Sequence, residues 1–284
     1  MSRALLCLLV GITGCLPTLP RLGDPCGAFP EPGLYKLPVS DPEGRSRDPF
    51  VYIPAGEGPR DLVFMLHGAG QEPQDMVRVS GWSDLADQEG FAVVYPGGVG
   101  NLWNAAENPY TDANDVGYLD AVAAEATARM CGDRVLALGF SNGAAMVHTW
   151  GCQSDVPDAI VPTQGAYLID RCPDAPIATR VYHGTADTTV PYEGDDRDGF
   201  LVPGVAEFTG IRVEQNACAP EPVDTERAGD SRCEIYACEE SLVVCTIEDW
   251  THAYPGGENT NGREFDATTE SWEWFDGLPR DTTE

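Results

Sequence analysis

The sequence predicts an α/β domain with a mainly parallel central sheet flanked by helices. Short apolar runs alternate with longer amphipathic segments through the middle of the chain, and a glycine-flanked strand-to-helix turn lies near its centre. Such alternation indicates parallel strands joined by helical crossovers. The 284 residues, 42% of them hydrophobic, suffice for one large domain with a sizeable core. We see no internal repeat or linker within residues 33–284.

The elements follow from periodicity and from runs of apolar residues. The segment 115–130 has the clearest helical pattern, with Val116, Leu119, Val122 and Ala123 on one side. Four to eight apolar residues bounded by turn residues predict buried strands. On this basis strands are predicted near 50–54, 61–67, 91–96, 134–140, 159–164, 178–183 and 242–248, and helices near 74–88, 115–130, 142–151, 203–216 and 267–276.

The central turn has the pattern G-x-S-x-G, with Ser141 between Gly139 and Gly143. A serine hydroxyl is a poor nucleophile, so a serine enzyme must present it to a base and to oxyanion donors. A tight strand-to-helix turn does both, because the following helix offers free N–H groups at its N-terminus. The pentapeptide alone is weak evidence for a nucleophile. The apolar run before it and the helical segment after it make Ser141 the predicted nucleophile.

A nucleophile of this kind requires an acid and a histidine, in that chain order, at the ends of later strands. Asp187 follows the predicted strand 178–183, and His252 follows the predicted strand 242–248. We therefore predict that Ser141, Asp187 and His252 form a catalytic triad. The other three histidines are interpreted as hydrogen-bonded structural groups: His67, His148 and His183.

The backbone N–H of Asn142 is the first predicted oxyanion donor, because it directly follows the nucleophile. Ala69, with Gly70 as the next choice, is predicted to supply the second from the loop of LVFMLHGAG (62–70). An ordinary glycine-rich turn is the alternative for this loop. Four further residues are candidates for a substrate pocket, with core or rim packing as the alternative: Trp103, Asn104, Trp250 and Tyr254.

Residues 1–14 have an early Arg followed by an apolar run, which predicts an export signal. The tetrad Ile12-Thr13-Gly14-Cys15 resembles a bacterial lipobox and predicts acylation of Cys15, with simple cleavage and release as the alternative. Residues 15–32 are rich in proline and are interpreted as an N-terminal arm, and residues 33–284 as the catalytic domain.

Eight cysteines remain once Cys7 and Cys15 are set aside. An even number in an exported protein predicts disulfides, but their connectivity is left open by the sequence. Four crowd between residues 218 and 245, where we interpret them as staples for the loop that carries His252. A zinc cluster is the alternative, although the chain has no Cys-x-x-Cys pair there.

The formal net charge of −29 argues against nucleic acid and anionic lipid as partners, because such a surface repels both. Membrane contact is expected only through the N-terminal lipid anchor. We expect a monomer. No metal or organic cofactor is expected, because the predicted triad chemistry needs none.

Several segments together resemble the secreted α/β-hydrolases grouped as polyhydroxybutyrate depolymerases and feruloyl esterases. The resemblance runs from about residue 50 to about residue 276 with the family's order and spacing. Unlike many members, this chain has Trp250 and Thr251 before His252, Tyr254 after it, and Ala144 where a further glycine is common. The matching segments are LHGAGQ (66–71), VVYPGG (93–98), DVGYLDAV (115–122), GFSNGAAM (139–146), HGTADTTVPYEG (183–194), THAYPGG (251–257) and FDATTESWEWF (265–275).

The resemblance implies the α/β-hydrolase fold, the same triad and oxyanion donors, and hydrolysis of carboxylic esters. It leaves feruloyl, acetyl-sugar, short aliphatic and hydroxyalkanoate esters open. We expect a small or oligomeric ester, because attack on a solid polymer needs a surface-adsorbing module and we recognise none in the sequence. A binding protein that has lost catalysis and a serine peptidase are the alternatives, and the filled triad positions argue against the first.

Overall fold

The computed structural model describes residues 31–56, 58–105, 112–165, 176–197, 200–259 and 265–280. Within these residues, ten strands form one sheet and two form a separate hairpin. The strands are β1 (Gly33–Lys36), β2 (Phe50–Ile53), β3 (Arg60–Leu66), β4 (Ala92–Tyr95), β5 (Gly132–Phe140), β6 (Ala159–Thr163), β7 (Ala178–Gly184), β8 (Gly194–Arg197), β9 (Phe200–Pro203), β10 (Asp224–Ala228), β11 (Ser231–Tyr236) and β12 (Leu242–Ile247).

The large sheet has the order β1-β2-β4-β3-β5-β6-β7-β12-β11-β10. The six central strands, from β4 to β12, pair in parallel. Antiparallel strands are added at both edges. The prediction of a mainly parallel sheet is confirmed. Since parallel strands end at the same edge, the loops after β3, β5, β7 and β12 come together there.

The helices are α1 (Pro73–Val79), α2 (Trp82–Glu89), α3 (Asp115–Met130), α4 (Asn142–Gln153), α5 (Val205–Gln215) and α6 (Ala267–Asp276). The prediction of a single helix over 74–88 is wrong, because the helical conformation is interrupted between α1 and α2. Gly81 has φ +75° there, and a Cβ on it would lie 2.9 Å from the Gly257 Cα. This close backbone approach requires a glycine and ends the first helix.

Alternate residues of the central strands point to opposite faces of the sheet, and both faces are covered. Leu62, Phe64 and Leu66 of β3 pack in a cluster with side chains of α3 and α4. Val63 and Met65 pack on the other face with side chains of α1, α2 and α6. The result is a three-layer domain, which explains why the central strands are continuous apolar runs in the sequence.

Disulfides hold the chain around β11 and β12. Cys233 pairs with Cys245 between these two strands, and Cys218 pairs with Cys238. This pairing contradicts the zinc alternative, because all four sulfurs of the 218–245 segment are consumed. Cys131 and Cys152 are also disulfide-bonded, and no cysteine among the described residues is free. The prediction of a disulfide-stabilised domain is confirmed.

The predicted signal, Cys15 and nearly all of the N-terminal arm lie outside the described residues, as do Cys26 and Cys172. Within the described ranges, no helix combines the length and the apolar character that crossing a membrane requires.

Candidate active site

Ser141 lies in a strained turn between β5 and α4, with φ +57° and ψ −116°. The turn packs too tightly for side chains at the flanking positions. A Cβ on Gly139 would lie 2.1 Å from the Gly143 carbonyl oxygen, and one on Gly143 would lie 2.6 Å from the carbonyl oxygens of Leu66 and His67. The spacing G-x-S-x-G therefore follows from steric exclusion, and the serine is presented at the edge of the sheet.

The structure brings the three predicted triad residues into one hydrogen-bonded chain. His252 Nε2 lies 2.9 Å from Ser141 Oγ, and His252 Nδ1 lies 2.7 Å from Asp187 Oδ2. A carboxylate only accepts hydrogen bonds, so Nδ1 carries the proton and Nε2 accepts the serine proton. The three residues follow β5, β7 and β12, whose carboxyl ends meet at one edge of the sheet.

The carboxylate of Asp187 is buried but well supplied with donors. Its Oδ1 accepts hydrogen bonds from the N–H groups of Thr189 (2.8 Å) and Val190 (2.9 Å), and its Oδ2 accepts from His252. Burial alone would raise the pKa of Asp187, but these hydrogen bonds and the nearby imidazole outweigh it and lower the pKa. Asp187 is thus an ionised group beside His252, suited to stabilise an imidazolium.

His183 braces the loop that carries the acid. Its Nε2 donates to the Val190 carbonyl oxygen at 2.8 Å and lies 3.7 Å from Asp187 Oδ2. Burial lowers the pKa of His183, which keeps its ring neutral. This placement agrees with its interpretation as a structural histidine.

Near Ser141, the backbone N–H groups of Ala69 and Asn142 are free to bind an acceptor, whereas those of Gly68 and Gly70 are paired within the described residues. Gly68 N–H donates to Gln71 Oε1 at 2.8 Å and Gly70 N–H donates to the Asn101 carbonyl oxygen at 2.9 Å. The N–H of Ala69, between them, has no acceptor among the described residues. Asn142 opens α4, where the first N–H groups of a helix lack an intrahelical acceptor. Of the two predicted candidates in this loop, Ala69 therefore has an unpaired N–H within the described residues, and Gly70 does not.

The loop that follows β4 is hydrogen-bonded both to the segment 67–70 and to the turn at Ser141. His67 Nδ1–H donates to the Gly68 carbonyl oxygen (2.8 Å), and its Nε2 accepts from Gly98 N–H (3.0 Å). Trp103 Nε1–H donates to the His67 carbonyl oxygen (2.9 Å), and Trp103 N–H donates to Asn142 Oδ1 (2.7 Å). The side chain of Asn142 therefore ties the serine turn to the loop after β4, and that loop is tied through Trp103 and Gly98 to His67, which the sequence did not reveal.

The four predicted pocket residues serve mainly in packing. Trp103 has no exposed surface, and Tyr254 is buried with its hydroxyl bonded to Trp82 Nε1 and Thr268 Oγ1. Trp250 is buried and donates through Nε1 to the Ala253 carbonyl oxygen, and Asn104 bonds Asp115 and the Ala113 carbonyl oxygen. Burial of the three aromatic residues contradicts the pocket role predicted for them. Asn104 is partly exposed, its Oδ1 has no hydrogen-bond partner among the described residues, and its pocket role stays a prediction.

A known solved structure shares the fold. The acetyl xylan esterase from Aspergillus awamori superposes with a TM-score of 0.63 at 16% sequence identity, over 86% of this chain and 99% of that one. At this identity the likeness shows the fold alone. The chain has the α/β-hydrolase fold, as the sequence predicts.

Three curated relatives match the sequence, two of which are described below, although no protein-family model does. "Putative esterase NocK" of Nocardia uniformis subsp. tsuyamanensis is 34% identical over 75% of this chain and 61% of its own length. Feruloyl esterase B of Piromyces equi is 31% identical over 57% of this chain and 33% of its own length. The predicted resemblance to esterases, a feruloyl esterase included, is confirmed. The chain spans less than two thirds of either relative.

Proposed function

We propose that this protein is an exported serine esterase that hydrolyses carboxylic esters. The observation that carries the proposal is the unbroken hydrogen-bonded chain from Ser141 Oγ through His252 to Asp187, with spacings of 2.9 Å and 2.7 Å. Fold stability does not require these three residue types in this order. The named activities of the relatives support ester hydrolysis in particular.

In the first half of the proposed reaction, His252 Nε2 takes the proton of Ser141 as Oγ attacks the ester carbonyl carbon. The carbonyl oxygen becomes an oxyanion, held by the N–H groups of Asn142 and Ala69. Asp187 stabilises the imidazolium. The imidazolium then protonates the alcohol oxygen, the carbon–oxygen bond breaks, and an acyl-serine remains.

In the second half, water replaces the alcohol. His252 removes a proton from the water as its oxygen attacks the acyl-serine, and the oxyanion forms again in the same place. Collapse of this intermediate returns the proton to Ser141 and releases the acid. Every proton transfer uses one imidazole nitrogen, and the reaction consumes only ester and water.

For the substrate we propose a small or oligomeric ester. Ser141 and His252 are both partly exposed and Ala69 is exposed, so the described part of the site is open to solvent. Polyhydroxybutyrate-type and feruloyl-type esters both fit the sequence resemblance, and what they share is the ester bond itself. The proposed reaction involves neither nucleic acid nor a metal ion.

Export is proposed from the cysteines and the N-terminal sequence together. Disulfides persist in oxidising compartments, and the described cysteines are all bonded. The tetrad Ile12-Thr13-Gly14-Cys15 supports a lipid-anchored, cell-envelope form over a released one. Mass spectrometry of the N-terminal peptide distinguishes a diacylglyceryl cysteine at Cys15 from an unmodified terminus beyond it.

The proposed activity is tested with a panel of p-nitrophenyl acetate and butyrate, methyl ferulate, an acetylated xylo-oligosaccharide and soluble hydroxybutyrate oligomers. Replacing Ser141, Asp187 or His252 by Ala lowers kcat by roughly 10³–10⁶-fold, and the combined variants lose little more. His183→Gln is the matched control, because an amide nitrogen can still donate to the Val190 carbonyl oxygen.

The proposal fails if the wild-type protein hydrolyses no ester in the panel. It also fails if His252→Ala keeps more than about a tenth of kcat while His183→Gln abolishes it, since the base is then misassigned. Hydrolysis of peptide substrates without ester hydrolysis would favour a peptidase, and loss of both would favour a binding protein.

A further inference from the structure

Gln164 is a buried polar residue that the proposed reaction does not use. It directly follows β6, between the strands that lead to Ser141 and Asp187, and its side chain has no exposed surface. Its backbone is left-handed, with φ +53°, and its N–H donates to the Tyr182 carbonyl oxygen of β7 at 2.9 Å. A buried amide in such a conformation needs partners for all its polar atoms.

The side-chain amide of Gln164 reaches two loops at once. Its Nε2 donates to the carbonyl oxygens of Thr251 (2.8 Å) and Ala253 (3.4 Å), the residues on either side of His252. Its Oε1 accepts from the N–H of Gly184 at 3.0 Å, where β7 ends before the loop of the acid. One amide group therefore joins the backbone of the histidine loop to the strand end that precedes Asp187.

These partners fix the orientation of the amide. Nε2 has two hydrogens and faces two carbonyl oxygens, whereas Oε1 faces an N–H group. A rotated amide would place donor against donor and acceptor against acceptor. The Gln164 side chain therefore links the two loops in a single orientation.

Other contacts also hold the loop of His252: Trp250 Nε1 donates to the Ala253 carbonyl oxygen at 2.8 Å, and the Phe140 ring lies 5.0 Å from the His252 ring. The Ala186 N–H donates to the Trp250 carbonyl oxygen at 3.1 Å, two residues before the histidine, and Ala253 N–H bonds Thr251 within the loop. Thr251 is itself exposed, so packing of its side chain does not fix the loop. The Gln164 amide differs from these contacts in that one side chain bonds the carbonyl groups on both sides of His252.

We propose that Gln164 is a positioning residue for the base of the triad. By holding both peptides next to His252 against β7, it keeps the imidazole within hydrogen-bonding distance of Asp187 and Ser141. The inference rests on the proposed function for its effect on turnover, and on geometry alone for its effect on the His252–Asp187 hydrogen bond. A displacement of about 1 Å at such a site costs on the order of 10²-fold in rate.

Asn216 provides a matched control at the opposite end of the same two strands. It is fully buried, and its Nδ2 donates to the carbonyl oxygens of Ile177 (2.8 Å) and Glu240 (3.1 Å), just before β7 and β12. Its Oδ1 accepts from the Ile177 N–H at 3.3 Å. Both amides therefore link the segments of β7 and β12, but only Gln164 does so beside the triad.

Gln164→Met and Asn216→Leu each remove a buried amide and replace it with an apolar side chain of similar size. We expect both to lower the midpoint of thermal unfolding. Gln164→Met lowers kcat on p-nitrophenyl acetate by about 10²-fold with KM within about threefold, whereas Asn216→Leu leaves kcat within about twofold. Equal effects of the two variants on kcat, or a Gln164→Met kcat within about threefold of wild type, overturn the proposal.

A second variant and a second background separate positioning from general damage. Gln164→Asn keeps the amide but is one methylene too short to span both loops, so it is read by the same criteria if Gln164→Met does not fold. In a His252→Ala background the Gln164 substitution should cause no further loss, because it acts through the imidazole. A further loss as large as in the wild-type background contradicts the proposal.

A measurement without substrate distinguishes failure of this inference from failure of the proposed esterase activity. The His252 Nδ1 proton, bonded to Asp187, gives a low-field NMR resonance that is assigned by its absence in His252→Ala. We expect Gln164→Met to lose this resonance and Asn216→Leu to keep it, even if no tested ester is hydrolysed. Retention of the resonance in a folded Gln164→Met protein overturns the inference, whatever its kcat.

Discussion

Burial of His148 should couple the stability of the fold to pH. The residue lies on α4, is 2% exposed, and packs edge-on against the Phe208 ring at 5.2 Å. Its Nδ1 has no hydrogen-bond partner among the described residues. Burial first, and the Arg212 guanidinium second, hold the pKa of His148 well below its ordinary value. The folded protein therefore keeps this imidazole neutral.

The direction of the effect follows from which state binds the proton first. In the unfolded chain His148 titrates near its ordinary pKa of about 6.5, and in the folded chain at a lower pH. The stabilisation is thus present above about pH 6.5 and is lost as the pH falls, because acid favours the unfolded state. Between about pH 7.5 and about pH 5.5 this one group removes on the order of 1 kcal/mol from the free energy of unfolding.

The effect is measured by urea unfolding of the wild-type protein and His148→Met at both pH values, with the disulfides intact. Methionine suits a buried helical site and does not titrate. Other groups with shifted pKa values, such as the carboxyls of Asp115, Asp158 and Glu270, cancel in the difference between the two proteins. A wild-type-minus-variant difference that changes by less than about 0.5 kcal/mol refutes the reasoning.

Other changes test separate parts of the structure. Gly139→Ala places a Cβ 2.1 Å from the Gly143 carbonyl oxygen and should lower the kcat of the folded protein by more than about tenfold. A near-normal kcat would contradict this steric argument. Asp61→Asn removes the charge 2.7 Å from the buried Arg134 and should lower the free energy of unfolding by about 3–5 kcal/mol, whereas a loss below about 1 kcal/mol in a urea titration would contradict it. N-terminal mass mapping should find acylated Cys15, and an unmodified terminus beyond it would contradict the predicted anchor.

Much of the fold could be predicted from the sequence. The six central strands and the neighbouring β2 are buried on both faces and therefore appear as apolar runs. The edge strands were missed for the opposite reason. In β10 (Asp224–Ala228) no residue is buried, so pairing with β11 makes it a strand and no periodicity reveals it. The break at Gly81 was also missed, because it depends on contact with Gly257, which is distant in sequence.

The proposed triad could be placed from the sequence because chain order and strand ends suffice to locate its members. The pocket prediction was weaker, because an aromatic residue near a site is equally suited to the core, where Trp103 and Tyr254 lie. Gln164 could not be found at all. Its partner carbonyl on Thr251 is 87 positions away, and no local pattern encodes a hydrogen bond across two loops.

Covalent labelling tests the central claim, that His252 activates Ser141 as a nucleophile. The wild-type protein is treated with diethyl p-nitrophenyl phosphate, and the adduct is located by peptide mass spectrometry. We predict one diethylphosphoryl group on Ser141 with release of p-nitrophenol, and labelling slowed by at least about 10²-fold in His252→Ala. No adduct on Ser141 in the folded wild-type protein, or an equal rate in His252→Ala, would contradict the account.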